Sequence, residues 1–405
     1  HKTPKKKFLA VFFICKKEGT ILKNTLKKVL FLFGGKSCER DISVITGVLC
    51  SNSADKTRYS PVPVYITEDG WFTGEKLCDP SFYKQRDTSG LKKVAVLPCS
   101  EALYDVTSGK LKKMFDVYCA VNCCHGMNGE DGTLAGLFKL CRIPFASPDV
   151  MASSVFMDKA AGKYYLAGAN IPVLPFYSFT GERYFGNREL CAVLVEKKIG
   201  FPCIIKPANL GSSIGISIAK NREEFKISVE RALRFDDKIL IEPALKNFTE
   251  INCAAYAKNG KIIVSECENP KFNGEFLTFS DKYSSGLKNT VYREFPADIP
   301  DKTAAKIKEL TLAIYKKAFI TGVIRADFLV SEDGEVFVNE VNTVPGSLAL
   351  YLFRDSPARY GEVLTDLIEE GVRANRAYLN RTFTFGSDVL SNTGAKSGAK
   401  SSVHT

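Results

Sequence analysis

The sequence predicts an α/β protein, and three kinds of segment carry this prediction. Residues 29–35 (VLFLFGG) form an apolar run that ends in two glycines, and SCERDISVITGVLC after it has helical periodicity, with Ser37 as the expected N-cap. Residues 117–147 repeat this order of strand, loop and helix, which is typical of a parallel sheet. Further on, strands are joined by turns in GFPCIIKPANLGSSIGISIAK and VIRADFLVSEDGEVFVNEVNT. A chain of 405 residues is long enough for two or three domains built from such segments.

Composition and charge are those of an ordinary globular protein, with 45% hydrophobic and 25% charged residues. The net charge of +11 comes largely from lysines in the first 28 residues, and no RNA-binding or helix-turn-helix motif accompanies it. No apolar run reaches the ~20 residues of a membrane helix. FLAVFFIC (8–15) resembles part of a signal peptide, but no small-residue cleavage site follows. We therefore expect no nucleic-acid or membrane partner, a basic extension over residues 1–26 and a disordered tail over 387–405.

Thirteen cysteines are present, and most lie in apolar stretches where a thiol packs as a small hydrophobic group. Cys119, Cys123, Cys124 and His125 (CAVNCCH) suggest a metal cluster, but no second ligand pair follows at the spacing of a zinc site. We therefore expect buried free thiols and a reducing, cytoplasmic compartment.

Glu39 follows the Gly-Gly turn in the first turn of the expected helix. Backbone N–H groups at such a strand–turn–helix junction attract anions, and Glu39 would hold a cationic group beside that anion. The simpler interpretation is a carboxylate that stabilises the helix dipole. His125, in the corresponding loop of the second strand–helix unit, is either a site residue or a structural histidine.

A lysine and a small-residue loop form the next candidate site. Lys206 ends a strand, and LGSSIG (210–215) leads into a second strand. Small residues let backbone amides close over phosphate oxygens while the lysine supplies charge. No G-K-[ST] leads into a helix, so this is not a Walker loop, and a plain Gly-Ser hairpin is the alternative. Within residues 147–176 the sequence predicts a helix that carries Lys159, followed by the extended segment NIPVLPF (170–176). Lys159 is either a further phosphate ligand or a solvated side chain.

The clearest candidate metal site lies on a hairpin whose turn is EDGE (332–335). Counting outward from this turn brings Asp327 roughly level with Glu340 and places Asn342 on the same face. Three oxygen ligands from two strands suit a Mg²⁺ ion that bridges nucleotide phosphates. Arg325, two residues before Asp327, puts a fixed cation on that face.

Seven motifs resemble, in order, those of the D-alanine–D-alanine ligases of the ATP-grasp superfamily. They are LFGGKSCERDIS, HGMNGEDGTLAG, MDK, KPANLGSSIGIS, DKY, RADF and NEVNTVPG, between about residues 27 and 350. The resemblance implies three domains: an N-terminal parallel-sheet domain (27–148), and central (149–248) and C-terminal (249–386) α+β domains that enclose ATP. It also implies a homodimer.

The resemblance assigns the nucleotide and its metals to one set of residues. The ATP phosphates would contact Lys159, Lys206, Lys282 and the loop residue Ser213. Glu242 would contact the adenine, and Glu250 the ribose. Two Mg²⁺ ions, or Mn²⁺ as a substitute, would be held by Asp327, Glu340 and Asn342.

A second set would bind the amino acids. Glu39 would bind the ammonium of the first D-alanine, with His125 near its carboxylate. Ser212 and Tyr283 would join Glu39 in a hydrogen-bonded triad that closes a lid. Arg325 and the Gly346 N–H would stabilise the oxyanion.

The implied reaction forms an acyl phosphate from ATP and one D-alanine, which the amine of a second D-alanine attacks, giving a peptidoglycan precursor. The chain departs from the family at Leu277 and Phe279 in the lid, and at Tyr351, where a serine commonly helps to bind the second carboxylate. Ser347 is the nearest serine and an alternative ligand. Tyr283 favours D-alanine over D-lactate as acceptor. A D-alanine–D-serine or D-alanine–D-lactate ligase, or a non-catalytic nucleotide-binding regulator, is the alternative function.

Overall fold

The computed structural model describes residues 26–211, 213–270, 293–354 and 356–386. Within this part of the chain, three sheets follow one another, each with helices packed against it. Ser212, Lys282 and Tyr283 lie outside the described residues, as do the expected N-terminal extension up to residue 25 and the tail from residue 387.

The first sheet has eight strands in the order β6-β5-β4-β3-β2-β1-β7-β8. The expected parallel pairing holds for β2, β1, β7 and β8, whereas β3 to β6 add to the edge as antiparallel strands. The strands are β1 (Lys27–Gly34), β2 (Tyr59–Thr67), β3 (Gly70–Thr73), β4 (Lys92–Val96), β5 (Ala102–Asp105), β6 (Lys112–Asp116), β7 (Cys119–Asn122) and β8 (Phe145–Ala146).

Residues 29–33 of β1 are fully buried because helices cover both faces of the sheet. Phe31 and its neighbours on one face pack against α1 (Arg40–Ser53) and the last helix, α9 (Tyr360–Leu379). Leu30 and Leu32 point the other way and pack against α2 (Thr133–Leu140). The C-terminal helix thus returns to the N-terminal sheet.

The expected single helix around Lys159 is two helices, α3 (Val150–Met157) and α4 (Lys159–Gly168). Asp158 has extended backbone between them, and its side chain accepts hydrogen bonds from the Ala160 and Ala161 N–H groups. An aspartate that caps the following helix in this way ends the preceding one. Lys159 is therefore the first residue of α4.

The second sheet is antiparallel, with the strand order β11-β10-β12-β9. Three helices cover one face of it around a core that includes Phe225 and Ile241. The elements are β9 (Tyr177–Thr180), α5 (Gly181–Gly186), α6 (Arg188–Lys198), β10 (Cys203–Pro207), β11 (Ser217–Ala219), α7 (Arg222–Ala232) and β12 (Lys238–Pro243).

The third sheet is also antiparallel, in the order β14-β13-β17-β18, and α8 packs on its apolar face. A two-stranded ribbon, β15 with β16, stands beside it. The elements are β13 (Phe248–Lys258), β14 (Lys261–Val264), β15 (Asn269–Pro270), β16 (Arg293–Glu294), α8 (Asp301–Lys317), β17 (Val323–Ser331) and β18 (Val336–Asn342). No helix in the described part of the chain is long and apolar enough to cross a bilayer. The domain boundaries stay predictions.

Candidate active site

A cleft lies between the second and third sheets. It brings together side chains that are far apart in sequence, contributed by α4, β10, the loop after β10, β12, β13, β17 and β18. The predicted site residues that line it are Lys159, Lys206, Ser213, Glu242, Glu250, Asp327 and Glu340.

The hairpin of β17 and β18 places Asp327 opposite Glu340, as predicted, and Arg325 opposite Asn342, with a bulge at Asn339 that the prediction did not include. The Asn342 amide donates to Asp327 Oδ2 at 2.9 Å, and Glu340 is the cross-strand neighbour of Asp327. Glu340 lies 3.3 Å from the Lys159 ammonium. This donor set suits a hard cation such as Mg²⁺, which prefers carboxylate and amide oxygens.

Arg325 is held against Asp327 by two contacts, Nε to Oδ1 at 2.6 Å and Nη2 to Oδ2 at 2.8 Å. Burial opposes the charge of the guanidinium, but the Asp327 carboxylate outweighs it and raises the pKa of Arg325 further above its ordinary value. The cation is therefore permanent and fixed in direction.

Glu242 is 1% exposed and bridges two lysines, with Oε1 2.5 Å from Lys163 Nζ and Oε2 2.8 Å from Lys206 Nζ. Burial alone would raise the pKa of Glu242, yet the two ammonium groups lower it below its ordinary value. Lys206 also donates to Asn339 Oδ1 at 3.0 Å. The carboxylate is therefore ionised and fixed at the wall of the cleft.

Lys163 is a site residue that the sequence analysis missed. It is 2% exposed, pairs with Glu242, and donates to the Val338 carbonyl at 3.3 Å. Burial lowers its pKa. The available signal was its spacing, because residues four apart lie on the same face of a helix and Lys159 was already a candidate.

The Gly-Ser loop connects β10 and β11 as an antiparallel hairpin. This backbone is compatible with both the phosphate-loop and the plain-hairpin interpretation. Lys159 Nζ donates to the Leu210 carbonyl at 2.6 Å and ties the loop to the start of α4. Ser213 has a φ of 59°, a left-handed conformation that fits a sharp turn over the cleft.

Glu39 is the N-cap of α1, immediately before its first turn, and Ser37 is not the cap. The Ser37 hydroxyl instead accepts from the Glu39 N–H at 3.2 Å and donates to the His125 carbonyl at 2.8 Å. The Glu39 carboxylate lies so close to the Gly-Ser loop that a Cβ on Gly211 would be 2.8 Å from it. A side chain at position 211 would therefore displace the Glu39 carboxylate from the loop.

His125 is 5% exposed, and its Nε2 lies 2.8 Å from the Thr46 hydroxyl. Burial lowers its pKa to about 4, despite a hydrogen bond to the backbone of Val344. The ring is therefore neutral at physiological pH and held at the junction of the first and third sheets.

Glu130, in the loop before α2, is a half-buried carboxylate that was not assigned to the site. Its Oε2 accepts from the Gly126 N–H at 2.7 Å and its Oε1 from the Val344 N–H at 3.2 Å. Burial and the nearby Glu39 charge raise the pKa of Glu130 to about 8.

Gly346 and Ser347 begin a 3-10 turn, Gly346–Leu352, shortly after β18. Tyr351, further along this turn, donates to Glu268 Oε2 at 3.3 Å, and the Arg293 guanidinium lies 4.5 Å from the centre of its ring. Glu268 and Arg293 were not among the predicted residues; a buried glutamate outside every motif gives no local signal.

The cysteines are free thiols, as expected, in every position that the structure describes. Cys119, Cys123 and Cys124 are buried, and burial raises the pKa of each. No cluster of three His, Cys, Asp or Glu side chains at metal-binding distance occurs among the described residues. The buried-thiol interpretation of CAVNCCH is confirmed.

Two antiparallel sheets that enclose a cleft of lysines and carboxylates, preceded by a parallel-sheet domain, define an ATP-grasp ligase. Two family models match the chain, the N-terminus of D-Ala–D-Ala ligase over residues 28–148 and its C-terminus over residues 165–373. The chain belongs to the D-alanine–D-alanine ligase family, and it is an ATP-dependent ligase.

Curated relatives agree with this assignment. The D-alanine–D-alanine ligase of Macrococcus caseolyticus is 34% identical over 346 residues, covering 84% of this chain and 94% of the relative. The enzyme of Chloroherpeton thalassium is 35% identical over 360 residues, covering 85% and 95%.

Solved structures share the fold. The D-alanine–D-alanine ligase of Coxiella burnetii superposes with a TM-score of 0.74 at 22% identity, covering 87% of this chain and 96% of that one. The VanG D-Ala:D-Ser ligase of Enterococcus faecalis has a TM-score of 0.70 at 25% identity, with coverage of 86% and 99%.

Proposed function

We propose that this protein joins two D-alanine molecules into D-alanyl-D-alanine at the expense of ATP, through an acyl-phosphate intermediate, for peptidoglycan synthesis. The observation that carries the proposal is the convergence of Lys159 and Lys206 with the Asp327–Glu340 pair in one cleft. Phosphoryl transfer depends chiefly on such positioning and on charge stabilisation. Membership of the family supplies the substrates.

ATP would lie between the second and third sheets. Lys159, Lys206 and the loop that contains Ser213 would contact the phosphates, because they line the cleft with positive charge and backbone amides. Glu242 and Glu250 would contact adenine and ribose. The contribution of Lys282, outside the described residues, stays a prediction.

The residues present fit magnesium. Asp327, Glu340 and Asn342 offer oxygen donors from two paired strands, and Arg325 and Lys159 already balance the two carboxylates. Two Mg²⁺ ions, or Mn²⁺ in their place, would neutralise charge on the transferring phosphoryl group.

The first D-alanine would be held by its ammonium on Glu39, with His125 nearby. Its carboxylate oxygen attacks the γ-phosphorus, ADP leaves, and an acyl phosphate results. The amine of the second D-alanine, after losing a proton, attacks the acyl carbon. A tetrahedral oxyanion forms and collapses with release of phosphate.

Arg325 and the Gly346 N–H would stabilise this oxyanion, an effect worth about 3 to 4 kcal/mol per donor. Arg325 suits the task because Asp327 fixes its direction and keeps it charged. Ser212 and Tyr283 would complete the triad with Glu39. Either Ser347 or Tyr351 would face the acceptor carboxylate.

A homodimer in the cytoplasm completes the proposal. The free thiols of the described residues fit a reducing compartment, and the reaction consumes ATP.

A second candidate is a D-alanine–D-serine ligase. It is favoured by the similarity to the Enterococcus faecalis D-Ala:D-Ser ligase. The two candidates share the phosphorylation step and differ in the acceptor.

The decisive experiment incubates the purified protein with ATP, Mg²⁺ and D-alanine and measures ADP, phosphate and product mass. We expect equal amounts of ADP and D-alanyl-D-alanine, with activity abolished in Glu340→Ala. Glu335→Ala, an exposed change in the same hairpin, is the matched control and should keep wild-type activity. Parallel reactions with D-alanine plus D-serine or D-lactate identify the acceptor. Robust turnover by Glu340→Ala would refute the site assignment, and a mixed product would favour the second candidate.

A further inference from the structure

The turn that follows the metal-site strand has a strained backbone. Ser347, Leu348 and Ala349 have φ values of 52°, 50° and 50°, three consecutive non-glycine residues in the left-handed region. Each such residue costs roughly 1–2 kcal/mol relative to a right-handed conformation. Strain of this kind persists only where the surroundings over-determine the backbone. Gly346, the proposed oxyanion donor, immediately precedes these residues.

The first domain holds this turn from outside. The Ser347 N–H donates to the Thr46 hydroxyl oxygen at 3.1 Å, although the two residues are 301 positions apart. Thr46 lies on α1 and is 1% exposed. Because Thr46 itself is inaccessible to solvent, removal of its hydroxyl would take away the acceptor of the Ser347 N–H.

The same hydroxyl is oriented by His125. Its oxygen accepts from Ser347, so its single hydrogen is available for His125 Nε2, 2.8 Å away. The other ring nitrogen then carries the proton that binds the backbone of Val344. A closed chain of hydrogen bonds thus runs from Ser347 through Thr46 and His125 back to Val344, one residue before Pro345.

A second contact from the same domain reaches the start of the turn. Glu130 Oε1 accepts from the Val344 N–H at 3.2 Å, and the Thr343 hydroxyl donates to the Glu130 carbonyl at 3.3 Å. The segment 343–347 is therefore bound on both sides of Gly346 by residues of the first domain.

We propose that Thr46 is a positioning residue for the oxyanion site: its hydroxyl, oriented by His125, holds the strained turn so that the Gly346 N–H points at the acyl carbon. The inference rests on the proposed function, since it assigns Thr46 to the second chemical step of that reaction. Glu39, the N-cap of the same helix, would bind the ammonium of the first amino acid. Helix α1 would therefore contribute to both chemical steps.

The alternative is that Thr46 only fills space in the core. The two roles make different predictions for the two chemical steps. A space-filling residue affects folding and both steps together. A residue that positions the oxyanion donor affects amide formation and leaves phosphoryl transfer intact, because that transfer takes place at Lys159, Lys206 and the carboxylate pair.

The test compares Thr46→Val, which keeps the volume and removes the hydroxyl, with Thr46→Ser, which keeps the hydroxyl. Thr311→Val is the matched control, because Thr311 is also fully buried and its hydroxyl donates to the Ile307 carbonyl within α8, which packs on the third sheet. Dipeptide formation gives kcat and KM. Scrambling of an ¹⁸O label between the bridging and non-bridging β,γ positions of ATP, in the presence of D-alanine, reports phosphoryl transfer alone.

We expect Thr46→Val to lower kcat for dipeptide by about 10- to 100-fold, because small displacements of a reacting group have effects of this size. The rate of isotope scrambling and the KM for ATP should stay near wild type, Thr46→Ser should recover most of kcat, and Thr311→Val should be unaffected. If Thr46→Val does not fold, Thr46→Ala replaces it in the same comparison.

Three results would overturn the inference: an unchanged kcat in Thr46→Val, an equal loss of scrambling and dipeptide formation, or no recovery in Thr46→Ser. A wild-type protein that forms no ADP with D-alanine would instead refute the proposed function, so the two failures are distinguishable.

Discussion

Arg325 and Asp327 lie two residues apart on β17, and the Arg325 guanidinium donates two parallel hydrogen bonds, of 2.6 and 2.8 Å, to the Asp327 carboxylate. Alternation along the strand puts both side chains on the cleft face. Asp327 also accepts from Asn342, so the pair joins the proposed oxyanion donor to the proposed metal ligands. A change at either residue therefore alters both parts of the site.

Arg325→Lys should lower kcat by about 10²- to 10³-fold, the usual effect of losing one oxyanion donor. Lysine keeps the charge but cannot make two parallel contacts with one carboxylate, so its ammonium is not fixed in direction. Steady-state ADP formation with D-alanine measures the loss. Arg373→Lys is the control, because Arg373 pairs with Glu370 on the outer helix α9. Near wild-type activity in Arg325→Lys would show that the paired geometry is unimportant.

Lys163→Met should destabilise the fold by about 3 kcal/mol, because it breaks a buried ion pair and leaves the Glu242 carboxylate with one lysine. It should also raise the KM for ATP, since Glu242 would turn toward Lys206 and away from the adenine. Urea unfolding and ATP titration measure the two effects. Lys197→Met, an exposed lysine at the end of α6, is the matched control. Equal unfolding free energies for the two variants would contradict the role of the pair.

The stability of the protein should depend on pH through His125. Burial lowers its pKa to about 4, whereas the unfolded chain protonates a histidine near pH 6.5. Between these values the unfolded state binds a proton that the folded state does not, so stability falls as pH drops from about 6.5 to about 4. The loss approaches about 3 kcal/mol at the lower limit.

Urea unfolding of wild type and His125→Gln from pH 7 to pH 4 measures this dependence. The difference between the two proteins isolates the histidine, because the other titrating groups cancel. As the pH falls, the unfolding free energy of wild type should decrease more than that of His125→Gln. A difference that is constant over this range would mean that His125 is accessible to protons in the folded state.

The metal-site hairpin could be predicted from the sequence because its information is local. The EDGE turn fixes the pairs from Val330–Val336 to Phe328–Val338, and strict counting would continue with Asp327 opposite Asn339. A bulge at Asn339 shifts the register by one residue and brings Glu340 opposite Asp327. The strand–loop–helix order of the first domain is likewise local. The four antiparallel strands β3 to β6 at the edge of the first sheet were missed. The apolar runs that predict the buried parallel strands carry no information about strands added at the edge.

The rest of the site depends on packing between distant segments. Lys163 reaches Glu242 only because α4 lies beside β12, and Thr46 meets Ser347 only because α1 lies beside the Gly346–Leu352 turn. No local pattern encodes such contacts. The helix break at Asp158 was missed for a related reason: MASSVFMDKAAG has helical composition throughout, and the capping bonds of one side chain decide the boundary.

Tyr351→Ser should broaden the choice of acceptor. The tyrosine ring packs under Arg293, and burial raises its pKa, so the hydroxyl stays protonated and donates to Glu268 beside the proposed oxyanion donor Arg325. Serine would remove the ring and open space for a larger second amino acid. With equal D-alanine and D-serine, we expect the mass ratio of mixed to D-alanine-only dipeptide to rise in Tyr351→Ser. Tyr351→Phe, which keeps the ring, should give the wild-type ratio. An unchanged ratio in Tyr351→Ser would exclude Tyr351 as a wall of the acceptor site and leave Ser347 as the residue that faces the second carboxylate.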